Sequence, residues 1–177
     1  MMIAKLFPEI EKIGSEDLKK KTIRCVQMAM DEGKWKMEDL MQMPFTLLVL
    51  PCPVSFVQHT RAVSATARAI GLALKEQYPN EPRMQPDMDT LLSGAVLHDI
   101  GKPLEYARGA DGKWTTSECG KALRHPVSGA ALAREAGLPY SVQHIIAAHS
   151  WEGDKCRHGV EAIIVHHADF INFEPIH

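Results

Sequence analysis

An all-α fold, a compact multi-helix bundle with one small β-hairpin inserted, is what the sequence predicts. Three observations point to it. Apolar residues recur at three- and four-residue spacing in segment after segment, the period of a helix with one buried face. Those segments carry helix punctuation: Ser15 and Asp87 or Asp89 at starts, Gly33 and Gly137 at ends, Pro126 in a first turn. One stretch, LEYARGADGKWTT at 104–116, departs from the pattern, and its Asp111-Gly112 turn between two short runs predicts a hairpin.

Length and charge narrow the field. A chain of 177 residues suits one domain with its own core. A net charge of −2 gives no global basic field to draw it onto a long nucleic acid or an anionic membrane. Its apolar runs fall far short of the roughly 20 residues a membrane span needs. The opening MMIAKLFPEIEK has a brief apolar stretch and early acids, unlike a signal peptide. Cys25, Cys52, Cys119 and Cys156 are scattered without a CxxC pair. That suggests reduced thiols in a cytoplasmic protein and excludes a thiolate zinc site. Histidine is the compositional oddity: six of the nine lie from His125 to His167.

Taken in order, residues 1–14 read as a short helical or irregular lead-in. Ser15 caps a helix carrying Leu18, Ile23, Val26 and Met30, and a shorter helix runs from Lys36 to Met43 until Pro44 stops it. The Met-rich N-terminal part reads as core packing, with a lid or a homodimer surface as alternatives. PFTLLVLPCPV at 44–54 reads as a buried extended segment or helical turn, since Pro51 and Pro53 exclude a regular central strand. Residues 1–54 thus form an N-terminal helical extension expected to pack on a second unit, 55–177. Ser55 to Tyr78 is a long helix with Val63, Ala67, Ile70 and Leu74 on its inner face, and His59 one turn earlier on that face. After the connector PNEPRMQPD, an apolar helix carries Leu91, Leu92 and Ala95 to His98 and Asp99. Beyond the hairpin, a flap or plain decoration, His125-Pro126 opens a helix that stops at Gly137. Val142, Ile145, Ile146 and His149 sit at i, i+3, i+4 and i+7, which puts His149 on a buried face. VEAIIVHHADFINF reads as a last helix apolar on nearly all sides and therefore buried. An unpaired Asp169 there would be costly, so a cationic partner is expected.

Each of these histidines alone is an ordinary core residue. His59, His98, His125 and His149 together, at inner-face or helix-end positions and joined by Asp99 and Asp169, reverse that reading. Imidazole and carboxylate from different helices are how helical folds build sites for divalent Fe, Mn, Ni, Co or Zn.

The series HT at 59–60, HDIGK at 98–102, HP at 125–126, AHS at 148–150 and HHAD ending at Asp169 resembles the HD-domain superfamily over roughly residues 55 to 172. The resemblance implies a first metal on His59, His98, Asp99 and Asp169, with Asp99 bridging to a second on His125 and His149. Ser150 departs from the second histidine that many dinuclear members carry there. Lys102 matches a lysine that in several members faces the substrate's anionic group; read alone it is a solvated lysine. Arg124 or Arg61 could add positive charge toward a phosphate, and Arg124 reads equally well as a surface residue. Trp151 could stack on a base or simply pack. The implied activity is a metal-dependent phosphohydrolase acting on a nucleotide, cyclic nucleotide or other small phosphoester, with two ions serving in-line attack on phosphorus. Asp99 and Lys102 would be its catalytic residues. A mixed-valent di-iron oxygenase cleaving a C–C or C–P bond, and a non-catalytic signalling module, are the alternatives. Specificity is expected from the hairpin, from the Ser150–Gly159 loop with Trp151 and His158, and from the N-terminal region.

Overall fold

A computed structural model gives the fold, and the described residues run from 3 to 176. The chain is all-α apart from one hairpin. The helices are α1 (Ile3–Leu6), α2 (Glu16–Gly33), α3 (Met37–Gln42), α4 (Phe56–Gln77), α5 (Met88–Leu97), α6 (Lys102–Glu105), α7 (Glu118–Ala122), α8 (His125–Glu135), α9 (Tyr140–Ala148) and α10 (Val160–Phe173). Strands β1 (Tyr106–Arg108) and β2 (Trp114–Thr116) pair antiparallel, Tyr106 opposite Thr116 and Arg108 opposite Trp114.

The caps follow from the sequence. Ser15 Oγ accepts from Leu18 N at 3.3 Å, and Asp87 accepts from Thr90 N at 2.7 Å. At Ser55, the hydroxyl accepts from Gln58 N while the Gln58 side chain accepts from Ser55 N, a reciprocal box that fixes the start of α4. Asp89 has a different task. Its two carboxylate oxygens accept from Gly14 N at 2.7 Å and Ser15 N at 2.8 Å, tying the start of α2 to α5.

The bundle is organised around α5. Every residue from Leu91 to Leu104 is buried, so this helix and the turn after it are covered on all sides. Leu92, Val96 and Leu97 face one apolar cluster, which contains Phe7, Ile10 and Val26 from the N-terminal part and Leu132, Val142 and Ile146 from α8 and α9. Leu91 and Ala95 face a second, with Val63 and Ala67 of α4, Ile145 of α9 and Val165 of α10. The hydroxyls of Thr22 and Ser93 share a hydrogen bond of 2.8 Å where α2 crosses α5, satisfying both in a dry interface.

Two local expectations change. Residues 44–54 form an irregular loop, with one bridge from Pro44 to Ser55 and with Leu48 and Leu50 70% and 58% exposed. Pro51 and Pro53 remove the donors a ladder needs, and only the loop's start, Pro44 to Thr46, is buried. Helix α10 packs one face on α4, α5 and α9, and leaves Ile163 and Ile171 exposed on the other. A helix apolar all round need not be buried all round when it lies at the bundle's edge. Met30 and Met43 are core residues, whereas Met41 is exposed. No helix among the described residues is long and apolar enough to cross a membrane.

Burial also decides thiol chemistry. Cys25 has no exposed surface, and burial pushes its thiol up to about 12, whereas Cys156 is exposed. The thiolate is the reacting form. Iodoacetamide at pH 8 should therefore label Cys156 in the folded protein and Cys25 only after unfolding, as read by peptide mass spectrometry. Equal labelling of both under native conditions would contradict this packing.

Candidate metal centre

Five helices or helix ends converge below a cavity. His59 lies in the first turns of α4, His98 and Asp99 follow the end of α5, and His125 opens α8. His149 follows the end of α9, and Asp169 lies in α10. All six expected ligands come together. Their side chains form two triads, His59 with His98 and Asp169, and Asp99 with His125 and His149, and within each the ligand atoms lie within 4.8 Å of one another. Asp99 stands between the triads. Its Oδ1 is 3.2 Å from His125 Nε2 and 3.5 Å from His149 Nε2; its Oδ2 is 3.4 Å from His98 Nε2 and 3.7 Å from His59 Nε2. One carboxylate thus turns an oxygen toward each group. Asp169 Oδ1 lies 3.0 Å from His59 Nε2.

The ring orientations are set from behind. His98 Nδ1 lies 2.7 Å from Ala95 O, and His149 Nδ1 lies 2.7 Å from Ile146 O. A carbonyl only accepts, so each Nδ1 carries the proton and donates it. In the neutral ring this leaves the Nε2 lone pair facing the cluster, which is what a metal ligand requires. Both bonds reach back three residues to a helix's last turn, whose carbonyls lack helical partners. His125 instead uses a side chain: its Nδ1 lies 2.6 Å from Glu105 Oε2, which also accepts the His125 backbone N–H at 2.7 Å. His59 is stacked on the Phe45 ring at 4.4 Å. His166 donates Nδ1–H to His149 O at 2.7 Å and steadies the end of α9.

The electrostatics suit a cation. Burial opposes ionisation of Asp99, but the Lys102 ammonium at 2.6 Å and the neighbouring imidazoles outweigh it and hold the carboxyl well below its usual range. Burial likewise opposes Asp169, yet the hydrogen bond from His59 and the charge near His98 bring it down to about 2. Burial lowers His59 and His149, which favours the neutral, ligating ring. Burial also works against protonated His98 and His125, but Asp99 raises both, so the cluster draws positive charge toward itself. Ionised carboxylates and inward-facing imidazole nitrogens make a donor set that fits divalent transition metals.

The cluster floors a cavity of about 410 Å³, with Asp99, His125, His149 and Asp169 in its lining. Lys102 is there too, but its ammonium is bound by Asp99 Oδ2 and by the Phe45 carbonyl. Arg124 and Trp151 stand at the mouth, the guanidinium 5.2 Å from the indole centroid and 3.1 Å from Glu152 Oε1. Ser150 lines the wall. Arg61 is elsewhere, donating to Lys5 O. His158 also lies apart: its ring sits 3.9 Å from His144 in a separate cleft with Tyr140 and Glu161. The hairpin contributes Tyr106 and Thr116, while Trp114, at the start of β2, packs under Arg108 and against Trp35 outside the lining.

Sequence reasoning missed Glu105, Phe45, Phe170 and Phe173. Glu105 falls within the LEYAR run that the sequence assigns to the hairpin, and no local spacing ties it to His125. Carboxylates behind ligating histidines set ring orientation and basicity, and their loss weakens metal binding about 10–100-fold. Glu105→Gln should therefore weaken Mn²⁺ binding at the Asp99–His125–His149 triad by that factor, leaving the other triad unchanged in a calorimetric titration. Equal weakening at both triads would show a general disturbance of the fold.

The HD-domain family matches residues 56–171. A dihydroneopterin 2',3'-cyclic phosphate phosphodiesterase of Methanocaldococcus jannaschii is 32% identical over 114 residues, which cover 64% of this chain and 44% of that relative. The chain thus aligns with less than half the relative's length. No solved structure matches the chain significantly.

Proposed function

The chain belongs to the HD-domain family, and from that membership we propose that it is a metal-dependent phosphohydrolase or phosphodiesterase acting on a nucleotide, cyclic phosphate or other small phosphoester. The observation that carries the reading is Asp99, one buried carboxylate turned toward two His/Asp triads at the floor of an open cavity. The named activity of the relative from Methanocaldococcus jannaschii supports it.

His59, His98 and Asp169 would hold one divalent ion and His125 and His149 a second, with Asp99 shared. When bound, the ions supply Lewis acidity toward phosphoryl oxygens and lower the pKa of water. Fe, Mn, Ni, Co and Zn all suit the donors. The chain's own residues supply the rest. Backbone carbonyls and Glu105 fix the imidazoles. Lys102 holds Asp99 ionised and keeps one of its oxygens in place. The guanidinium of Arg124, at the mouth and already paired with Glu152, adds positive charge to the approach. Residues 1–54 serve as a helical extension whose apolar side chains share a core with 55–177.

Elemental analysis of protein purified without oxygen, followed by assays with bis-p-nitrophenyl phosphate and nucleoside cyclic phosphates, tests this reading. Metal-dependent hydrolysis that disappears in Asp99→Asn is the expected result. Oxygen consumption with a mixed-valent iron signal and no ester hydrolysis would assign the site to a di-iron oxygenase. Failure to bind any divalent metal would leave a non-catalytic module.

A further inference from the structure

We propose that the cavity above the metal centre contains a second subsite, which selects phosphoesters whose organic group is a flat, uncharged, largely apolar ring. The proposal rests on the phosphohydrolase reading and says which of its substrates fit.

The chemistry of the walls changes with height. The floor is charged and fully committed. Lys102 is paired with Asp99, and Glu105 with His125. Beyond it the lining is largely apolar, with Thr46, Thr116 and Ser150 among it: the buried Phe45 beside His59, Leu47 and Leu48 from the same loop after α3, Phe170 and Phe173 from the last turns of α10, and Trp151 from the turn after α9. Three separate chain segments thus bring apolar side chains to one wall.

The aromatic members are pre-positioned. The Phe45 ring is clamped between His59, at 4.4 Å and stacked, and Phe173, at 6.0 Å and edge-on. Its carbonyl is fixed by Lys102 and by Tyr106 Oη. Trp151 is 64% exposed, an unusual cost for an indole, and Arg124 lies over its ring at the mouth. Leu48 is 70% exposed on the same rim. Both side chains would bury apolar surface against a ring in the cavity.

Charge supports the same occupant. Among the described residues lining the upper cavity, the cation is Arg124, and Glu152 already pairs with it. A second anionic group on the substrate would have to displace that pair. Volume limits the size: about 410 Å³ lies near the lower end of small-ligand pockets and suits a phosphoryl group with one ring system, not a polymer.

Paired phosphonates test the subsite apart from catalysis, because they carry the anion but no scissile ester. The Mn²⁺-loaded full chain is titrated with phenylphosphonate, methylphosphonate and 4-carboxyphenylphosphonate by calorimetry. Phenylphosphonate should bind at least tenfold more tightly than methylphosphonate, and the carboxylated ring more weakly than the plain one. Trp151→Ala combined with Leu48→Ser, both at exposed positions, should bring the phenyl-to-methyl ratio below about threefold and leave methylphosphonate affinity unchanged. Equal affinity for the two in the unaltered protein overturns the subsite, as does a ratio untouched by the double substitution or tighter binding of the carboxylated ring. If Mn²⁺ binds and neither phosphonate does, the phosphohydrolase reading falls and the subsite with it; equal binding removes the subsite alone.

Discussion

Asp99→Ala should empty both triads of metal at once, with less than a tenth of the wild-type content left in elemental analysis and no measurable hydrolysis. Asp99 presents one oxygen to His125 and His149 and the other to His98 and His59, so a single truncation takes a ligand from each group. It also strips Lys102 of its buried counter-charge. Breaking a buried pair costs roughly 3–5 kcal/mol, so the metal-free variant should also melt well below the metal-free parent. Asp99→Asn separates the two effects. It keeps the shape and an acceptor for Lys102 but removes the negative charge, so metal loss should persist with a smaller loss of stability. His149→Ala provides the contrast, chiefly depleting the triad it belongs to and leaving His59, His98 and Asp169 intact. Two metals retained per chain in Asp99→Ala would sink the shared-ligand assignment.

Gly101→Ala should be nearly as damaging, for a reason of space alone. Gly101 has ordinary right-handed backbone angles, φ −77 and ψ −15, so a side chain brings no conformational strain. The obstacle is α8. A Cβ at 101 would run into the His125 carbonyl oxygen and stand 2.6 Å from Ser128 Oγ and 2.7 Å from His125 Cα. Main chain cannot rotate aside as a side chain can. Gly129, the next small residue on α8, repeats the close approach, with its own Cβ position 3.1 Å from Gly101 N. Overfilling a packed core costs about 1–3 kcal/mol, and here the displaced atoms belong to a ligand residue. The expected outcome is a melting temperature lower by several degrees with depletion of the metal nearest His125. An unchanged melting temperature and full metal content would show that α8 is free to shift.

Much of this was legible in the sequence, and the reason is periodicity. Val63 and Ala67 placed His59 on an inner face, and Ile145 and Ile146 did the same for His149, because a buried stripe fixes which side chains point inward. Ser15, and Asp87 as one of two candidates with Asp89, marked starts, since a hydroxyl or carboxylate there bonds to the following amides. What escaped was set by contacts distant in sequence. LEYAR reads as a strand, and nothing local shows that Glu105 will bond to a histidine twenty positions on. The loop at 44–54 reads as buried from its composition, yet Leu48 and Leu50 point outward because a proline-broken segment forms no ladder that would hold them in. His158 sits in the same loop as Trp151, but its pairing with His144 in a different cleft has no mark in spacing.

The bond between His59 and Asp169 spans 110 positions, from α4 to the last helix. A ribosome makes the chain from its N-terminus, so the two triads do not mature together. Asp99, His125 and His149 all precede α10 in the chain and are made before it. His59 and His98 must wait for Asp169, which α10 supplies. Vectorial synthesis therefore gives the two halves of the site different birthdays. The half that uses α10 is complete only once that helix has been made and has packed against α4.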